Sequence, residues 1–266
     1  MTKIAITGAA GRMGRRIAAL TIENDGLELV AAMEVAGNPC LGQDVGTLAG
    51  AGEIGVKVSE TIDAEADVLI DFSLPDGTMH WVEVCSGRGV AMVIGTTGLS
   101  AGQEAAVAEA ARTIPIVHAG NMSVGINLLL NVVALVARTL GPDYDIEVAE
   151  THHRFKKDAP SGTAVMLAKS ICNALGKDYP ATAVHGREGH QPRQPGEIGM
   201  HALRVGDTVG EHSVYFGNLG ETITVSHSAH SRDIFVHGAL RAAEWLSGRP
   251  AGLYSMQEVL GLAIGD

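Results

Sequence analysis

The stretch KIAITGAAGRMGRRIAALTIE, residues 3–23, decides the reading of the fold. Residues 3–7 are a short β-rich run, glycines follow at 8, 11 and 14, and residues 12–23 are helical in pattern. A strand, a glycine-rich turn and a helix in that order open a βαβ unit whose helix N-terminus attracts phosphate. Gly8 permits the tight turn, Gly11 lets backbone amides approach a pyrophosphate, and Gly14 allows close helix–sheet packing. The spacing G-x-x-G-x-x-G departs from the commoner G-x-G-x-x-G, so its context carries the weight. Residues 27–34 return to a nearly continuous apolar run, and Glu34 ends it 20 residues beyond Gly14. An acidic residue at that point accepts hydrogen bonds from adenosine ribose hydroxyls.

The alternation continues. Residues 67–73, 90–96 and 114–119 read as strands, with helix-friendly composition at 76–86 and 101–112. Strands alternating with helices predict a Rossmann-type, doubly wound parallel sheet of the α/β class. Two further turns, Gly95-Thr96-Thr97-Gly98 and Ala119-Gly120-Asn121-Met122, end strands on the edge where open parallel sheets bind ligands. The small residues of the first would let a flat nicotinamide ring approach the backbone.

After residue 121 the rhythm changes. A long buried helix is expected at 124–140, a strand at 144–153 and a helix at 163–175 that Gly176 stops. Residues 186–197 read as an exposed loop, and 198–205, 209–216 and 222–227 as closely spaced strands. These predict a smaller α+β domain with an open mixed sheet, largely antiparallel. A last amphipathic helix at 234–246 can pack back on the first domain. The expected division is therefore 1–122 plus 233–266, and 123–232.

Composition narrows the partners. The chain has 266 residues, 46% of them hydrophobic, with a formal net charge of -11, which disfavours nucleic acid and anionic membrane surfaces. Cys40, Cys85 and Cys172 are widely spaced and form no C-x-x-C pair, so no disulfide framework or cysteine zinc site is expected. His227 and His230 have ligand-like spacing but no supporting motif, so no metal is expected. The strand at the start leaves no room for a secretory signal, and the apolar run 124–137 falls short of the roughly 20 residues of a bilayer span. A cytoplasmic setting follows. Residues 123–232 are nearly balanced in charge and carry eight of the 11 histidines, making them the better host for an anionic partner.

That segment holds His152-His153-Arg154-Phe155-Lys156-Lys157, followed by Asp158-Ala159-Pro160-Ser161-Gly162-Thr163 at a helix start. Cations beside a helix N-terminus suit a small dianion, with amides around Gly162 and Thr163 able to bind a carboxylate. Neighbours on a strand face opposite sides, so both histidines reach one cleft only if the strand ends near His152. Glu150 shares a strand face with His152 and is placed to orient its ring.

The sequence resembles the 4-hydroxy-tetrahydrodipicolinate reductase (dihydrodipicolinate reductase) family. The resemblance lies in GAAGRMG (8–14), DFS (71–73), GTTG (95–98), AGNMSVGIN (119–127), ETHHRFKKDAPSGTA (150–164), IGMHALRVGDTVGEH (198–212) and SHSAHSRDIFVHGALRAAEWL (226–246), and it covers essentially the whole chain. It implies a Rossmann domain joined to a smaller α+β domain that builds a homotetramer through its sheet. It also implies NAD(P)H-dependent reduction of a ring imine bearing two carboxylates, with net loss of water, on the diaminopimelate route to lysine. His152 would be proton donor or acceptor and Lys156 a second donor, with His153, Gly162 and Thr163 binding substrate carboxylate and Arg232 a further candidate. Gly8, Ala9, Ala10, Gly11, Arg12, Met13, Glu34, Gly95, Thr96, Thr97, Ala119, Gly120, Asn121 and Met122 would hold the dinucleotide. In this arrangement the nucleotide along the first sheet's edge faces a dianion gripped by the other lobe's cations.

One departure bears on the cofactor. Val35 stands where NADPH-using members often place an arginine, and no Lys or Arg lies between Arg16 and Lys57. NADH is therefore expected over NADPH, with Arg12 the residue that would rescue NADPH use. The competing readings are another two-domain nicotinamide enzyme, such as an amino-acid dehydrogenase, and a dinucleotide sensor without catalysis. The first leaves residues 150–163 unexplained, and the second has no use for His152 and Lys156.

Overall fold

The computed structural model describes residues 1–262. In chain order the elements are β1 (Thr2–Thr7), α1 (Arg12–Ile22), β2 (Leu27–Met33), α2 (Val45–Ala49), β3 (Val58–Ser59), β4 (Val68–Asp71), α3 (Pro75–Arg88), β5 (Ala91–Ile94), α4 (Ala101–Ala110) and β6 (Pro115–His118). There follow α5 (Val124–Leu140), β7 (Asp145–His152), α6 (Gly162–Ala174), α7 (Tyr179–Thr182), β8 (Ala183–His185), β9 (Ile198–Arg204), β10 (Gly210–Asn218) and β11 (Glu221–Ala229). The chain ends with α8 (Asp233–Leu246), β12 (Gly252–Tyr254) and α9 (Met256–Val259). They form two compact units, Met1–Ser123 with Asp233–Asp266, and Val124–Arg232.

Among the described residues the first unit holds a seven-stranded parallel sheet in the order β12-β6-β5-β4-β1-β2-β3. Its central strands β4 and β5 are buried along their whole length because both faces are covered, and apart from Asp71 at the end of β4 they are apolar. Side chains alternate between two cores. Ile4, Ile6, Val68, Ile70 and Val93 pack with Ile17 of α1 and Val236, Ala239 and Leu240 of α8. Ala5, Leu69, Met92 and Ile94 pack on the opposite face with Trp81, Val82 and Cys85 of α3 and Val107 of α4. The helix after residue 232 thus belongs to the first unit. Strand order reverses between β1 and β4, and the carboxyl ends of those strands are where such sheets open a ligand crevice.

The second unit carries the sheet β11-β10-β7-β9-β8. It is mixed. The β11–β10 and β10–β7 pairs are antiparallel, whereas β7–β9 and β9–β8 are parallel. The expectation of a largely antiparallel sheet therefore holds for one half only, because α6 carries the chain across the sheet between β7 and β9, and such a crossover gives parallel neighbours. Helices α5 and α6 cover one face, burying Leu129, Val133, Leu167 and Ile171 against Ile146, Val148, Met200, Val214 and Phe216.

The apolar helix is longer than the run 124–137 that the sequence suggests. With the 3-10 turn Gly141–Asp143, α5 reaches 20 residues with mean hydropathy 1.7, enough to cross a bilayer by length and composition. What distinguishes it is use: Ile126, Leu129, Leu130, Val133 and Ala137 form one wall of the second core.

Helix α8 is pressed against the chain before α5, where a Cβ on Gly238 would lie 1.7 Å from the Met122 carbonyl oxygen. Gly87, near the end of α3, faces open space. Gly238→Ala should lower stability by about 1–3 kcal/mol, whereas Gly87→Ala should raise it by about 0.5–1 kcal/mol. Urea unfolding of both variants checks the pair.

Candidate functional site

The glycine-rich turn leaves β1 at the reversal of strand order. Gly8 has φ +60, the left-handed conformation that favours glycine. A Cβ on Gly14 would fall 2.1 Å from the Gly8 carbonyl oxygen, so this glycine brings α1 onto the loop itself more than onto the sheet. Gly11 is the N-cap of α1 and no side chain caps the helix, which keeps Arg12 and Met13 in a first turn open to an anion. The loop has the shape of a cradle that side chains would fill, and it fits a dinucleotide.

Glu34 lies just past β2 and is fixed before any ligand arrives. Its carboxylate accepts from the Ala10 amide at 3.1 Å and from its neighbour Val35 at 3.0 Å, tying the acidic residue to the glycine loop. Beside it is a cavity of about 440 Å³, lined by Gly8, Met33, Glu34, Val35, Glu60 and Trp81 among others. Gly95, Thr96 and Thr97 follow β5, and Ala119, Gly120, Asn121 and Met122 follow β6, so every dinucleotide candidate stands at the carboxyl edge of one sheet. Two details differ from the expectation. Phe72 fills the Cβ side of Gly95, where an added carbon would lie 2.3 Å from the ring, and Thr96 is buried with its hydroxyl turned inward to Asp71. The smallness of this turn therefore serves packing on its inner side and leaves backbone on the outer one. Asn121 accepts from the Ser123 amide at 2.8 Å, shaping the last of these turns.

In the second unit the site grows out of the core along one strand. Ile146, Val148, Glu150 and His152 occupy successive buried positions of β7, so the covered face is apolar at one end and ionisable at the other. The strand ends at His152, which meets the condition set by the paired histidines. Cross-strand register sets His212 of β10 opposite Glu150 and Arg204 of β9 opposite His152.

Glu150 is 1% exposed and accepts four hydrogen bonds. Arg204 grips it with two guanidinium nitrogens at 2.8 and 2.9 Å, the Ser161 amide donates at 3.0 Å, and His152 Nδ1 lies 2.5 Å from Oε2. Burial pushes the Glu150 carboxyl up, but donation from Arg204, His152 and Ser161 outweighs it and holds the group below its usual range. An ionised Glu150 only accepts, so His152 carries its proton on Nδ1 and leaves Nε2 open. Burial pushes the His152 imidazole below its ordinary value despite Glu150, and the charges of Lys156 and Arg204 push the same way.

Arg204 also donates to the Asp158 carbonyl at 2.7 Å, and Lys156 is paired with the Asp158 side chain at 2.9 Å. One guanidinium thus links the strand holding His152 to the loop holding Lys156. His153 lies beyond the strand against Phe155, with Nδ1 buried and making no hydrogen bond. Gly162 and Thr163 open α6 at the positive end of its dipole, behind Ser161 as N-cap. The Ser161 hydroxyl accepts from the Ala164 amide and lies 3.0 Å from His212 Nε2. Sequence reasoning missed Arg204, His212 and Ser161 as members of this cluster. Ser161 had a signal, the N-cap residue of a helix start. Arg204 and His212 lie far along the chain, and only strand register brings them here.

Residues 2–122 match the family described as dihydrodipicolinate reductase, N-terminus, and residues 125–260 match dihydrodipicolinate reductase, C-terminus. The chain belongs to the dihydrodipicolinate reductase family. Relatives from Citrifermentans bemidjiense and Geotalea daltonii, both named 4-hydroxy-tetrahydrodipicolinate reductase, are 49% identical over 98% of this chain and 100% of theirs. A dipicolinate-bound dihydrodipicolinate reductase from Paenisporosarcina sp. TG-14 has the same fold, with TM-score 0.76 and 24% identity over 97% of this chain and 98% of its own. An amine dehydrogenase from Mycobacterium smegmatis shares the fold more distantly, with TM-score 0.66 and 13% identity over 96% of this chain and 95% of its own. Members of the dihydrodipicolinate reductase family use a pyridine nucleotide, and the glycine cradle of the first unit fits one.

His212 gives a test of the cluster's electrostatics. Burial first, then the neighbouring charges of His152, His227 and Lys156, push its imidazole down to about 4. The folded state therefore opposes its protonation, so its contribution to stability is full above pH 6.5 and is lost as pH falls towards about 4. NMR titration of the His212 ring should find its midpoint near 4, and a midpoint at or above 6.5 contradicts the arrangement.

Proposed function

We propose that this chain reduces 4-hydroxy-tetrahydrodipicolinate to tetrahydrodipicolinate with loss of water, in the diaminopimelate route to lysine, using NADH in preference to NADPH. The observation that carries the reading is His152 held by Glu150 at the end of β7, with Lys156 on the next loop, in a chain of this family.

Bound nicotinamide supplies a hydride to the unsaturated ring, and the rest falls to side chains. Glu150 fixes the Nδ1–H of His152, so Nε2 is the atom that takes up and delivers a proton. In the free protein burial favours the neutral ring. A dicarboxylate drawn to His153, Gly162 and Thr163 adds negative charge nearby and favours the imidazolium. Substrate binding thereby arms the acid that the reduced ring needs. Lys156 is the second proton donor, and Asp158 holds its ammonium until substrate competes for it. Residues 8–13, Glu34, 95–97 and 119–122 hold the dinucleotide.

The NADH preference rests on charge. Glu34 would meet a ribose 2′-phosphate with a carboxylate already fixed in place, and Glu60 adds a second on the same cavity wall. We place the enzyme in the cytoplasm and assign it a homotetramer built on the second unit's sheet. In support, β11 pairs with β10 alone among the described strands, and Tyr215 is exposed on β10.

With substrate generated in situ, Lys156→Ala should lower kcat about 100-fold or more while the NADH Kd stays within about twofold. An unchanged kcat removes Lys156 from the reaction. Wild-type kcat/KM should be higher with NADH than with NADPH, and Glu34→Gln should narrow the ratio. Steady-state kinetics with both nucleotides decides this, and a strong wild-type NADPH preference refutes it.

A further inference from the structure

The first unit buries a carboxylate that none of the steps above employs. Asp71 ends β4, the strand beside β1 where strand order reverses, and it is 0% exposed. A carboxylate withdrawn from water must have its lone pairs filled by donors. Here the donors are hydroxyls. Thr7 donates to Oδ1 at 2.5 Å and Ser73 to the same oxygen at 2.6 Å, while Oδ2 accepts from Thr78 and, at 2.8 Å, from Thr96. Among the described residues no Lys, Arg or His forms an ion pair with it.

The four donors come from different segments. Thr7 is the last residue of β1, directly before Gly8. Thr96 stands in the turn after β5, directly after Gly95. Ser73 and Thr78 belong to the entry and the first turn of α3. One carboxylate therefore fastens the roots of the glycine loop and of the 95–97 turn to the end of the strand between them. Thr96 turned inward also fixes which side of the 95–97 backbone is presented outward. Valine has the same outline as threonine and suits the same buried sites, so it is the hydroxyl hydrogen, and not the shape, that the carboxylate uses.

We propose that Asp71 is a positioning residue of the nucleotide site, setting the glycine loop and the 95–97 turn in register without touching the nucleotide. The proposal rests on the placement of the nucleotide at residues 8–13 and 95–97 given above. It predicts that the hydroxyls differ in consequence: those of Thr7 and Thr96 govern binding, and that of Thr78, on α3, governs stability alone.

The test is NADH binding to the full chain by fluorescence titration, with the melting temperature of each variant measured alongside. Thr7→Val and Thr96→Val should each raise the NADH Kd fivefold or more. Thr78→Val should lower the melting temperature comparably and leave Kd within twofold of wild type. Asp71→Asn, which puts an NH₂ donor among hydroxyl donors, should raise Kd more than tenfold. Should that variant fail to fold, the threonine series still decides. A Kd within twofold of wild type for either Thr7→Val or Thr96→Val overturns the proposal, as does weakening by Thr78→Val equal to theirs. Gly11→Val tests the placement of the nucleotide apart from the role of Asp71, since its added side chain crowds the loop itself. If it weakens NADH binding while Thr7→Val and Thr96→Val do not, Asp71 loses its role and the nucleotide keeps its place. If Gly11→Val binds NADH normally, the placement and the proposal fall together.

Discussion

A carboxylate that leaves water must find a donor for each lone pair, and both units of this protein are organised around one that has. Asp71 and Glu150 each sit at or near the carboxyl end of a buried strand, and each accepts four hydrogen bonds. The donors differ, and so does the result. Asp71 is served by hydroxyls, which bring segments together and add no charge. Glu150 is served by a guanidinium, an amide and an imidazole, so its charge is balanced and passed on as the choice of which histidine nitrogen holds the proton.

The second cluster also shows how a reactive group is obtained from a core. Alternation along β7 sets Ile146, Val148, Glu150 and His152 on one face. The first two lie beneath α5 and α6, while the last two lie towards the end of the sheet beside the start of α6. The packing that makes the strand stable therefore also desolvates His152 and His212, and it lowers both imidazoles. Arg204 offsets the cost of burying Glu150. Without that fork the carboxylate would rise towards neutrality, and the orientation of His152 would no longer be dictated.

Much of this was legible in the residues, and the illegible parts share a cause. Periodicity and the glycine turn were enough for the parallel sheet, because strands covered on both faces read as unbroken apolar runs such as AMVI in β5. The long helix α5 was legible to its ends. Short elements such as α2, β3, β8 and β12 escaped, since two to five residues carry too little pattern to rise above a loop. The parallel half of the second sheet escaped because register is a tertiary property. His152, Lys156 and Gly162 were readable as one run, yet Arg204 joins them from β9 and His212 from β10. Asp71 was hidden for the opposite reason: in an apolar strand it resembles an ordinary strand end, and only its four hydroxyl partners distinguish it.

Glu34 and Asp71, the two acids at this edge of the sheet, differ in exposure. Glu34 is partly exposed, so its charge acts on what enters the cavity, yet its bond to the Ala10 amide already commits one oxygen to the loop. Asp71 is fully buried, and its oxygens are taken up by four hydroxyls of the protein. Val35, the exposed neighbour of Glu34, is apolar and brings no cation to that carboxylate, whose hydrogen bonds are to backbone amides. The two carboxylates therefore differ in their donors, backbone amides for Glu34 and hydroxyls for Asp71. The acid that hydroxyls saturate joins the ends of β1, β4 and β5 from inside the unit, and the acid that amides hold stays on the cavity wall.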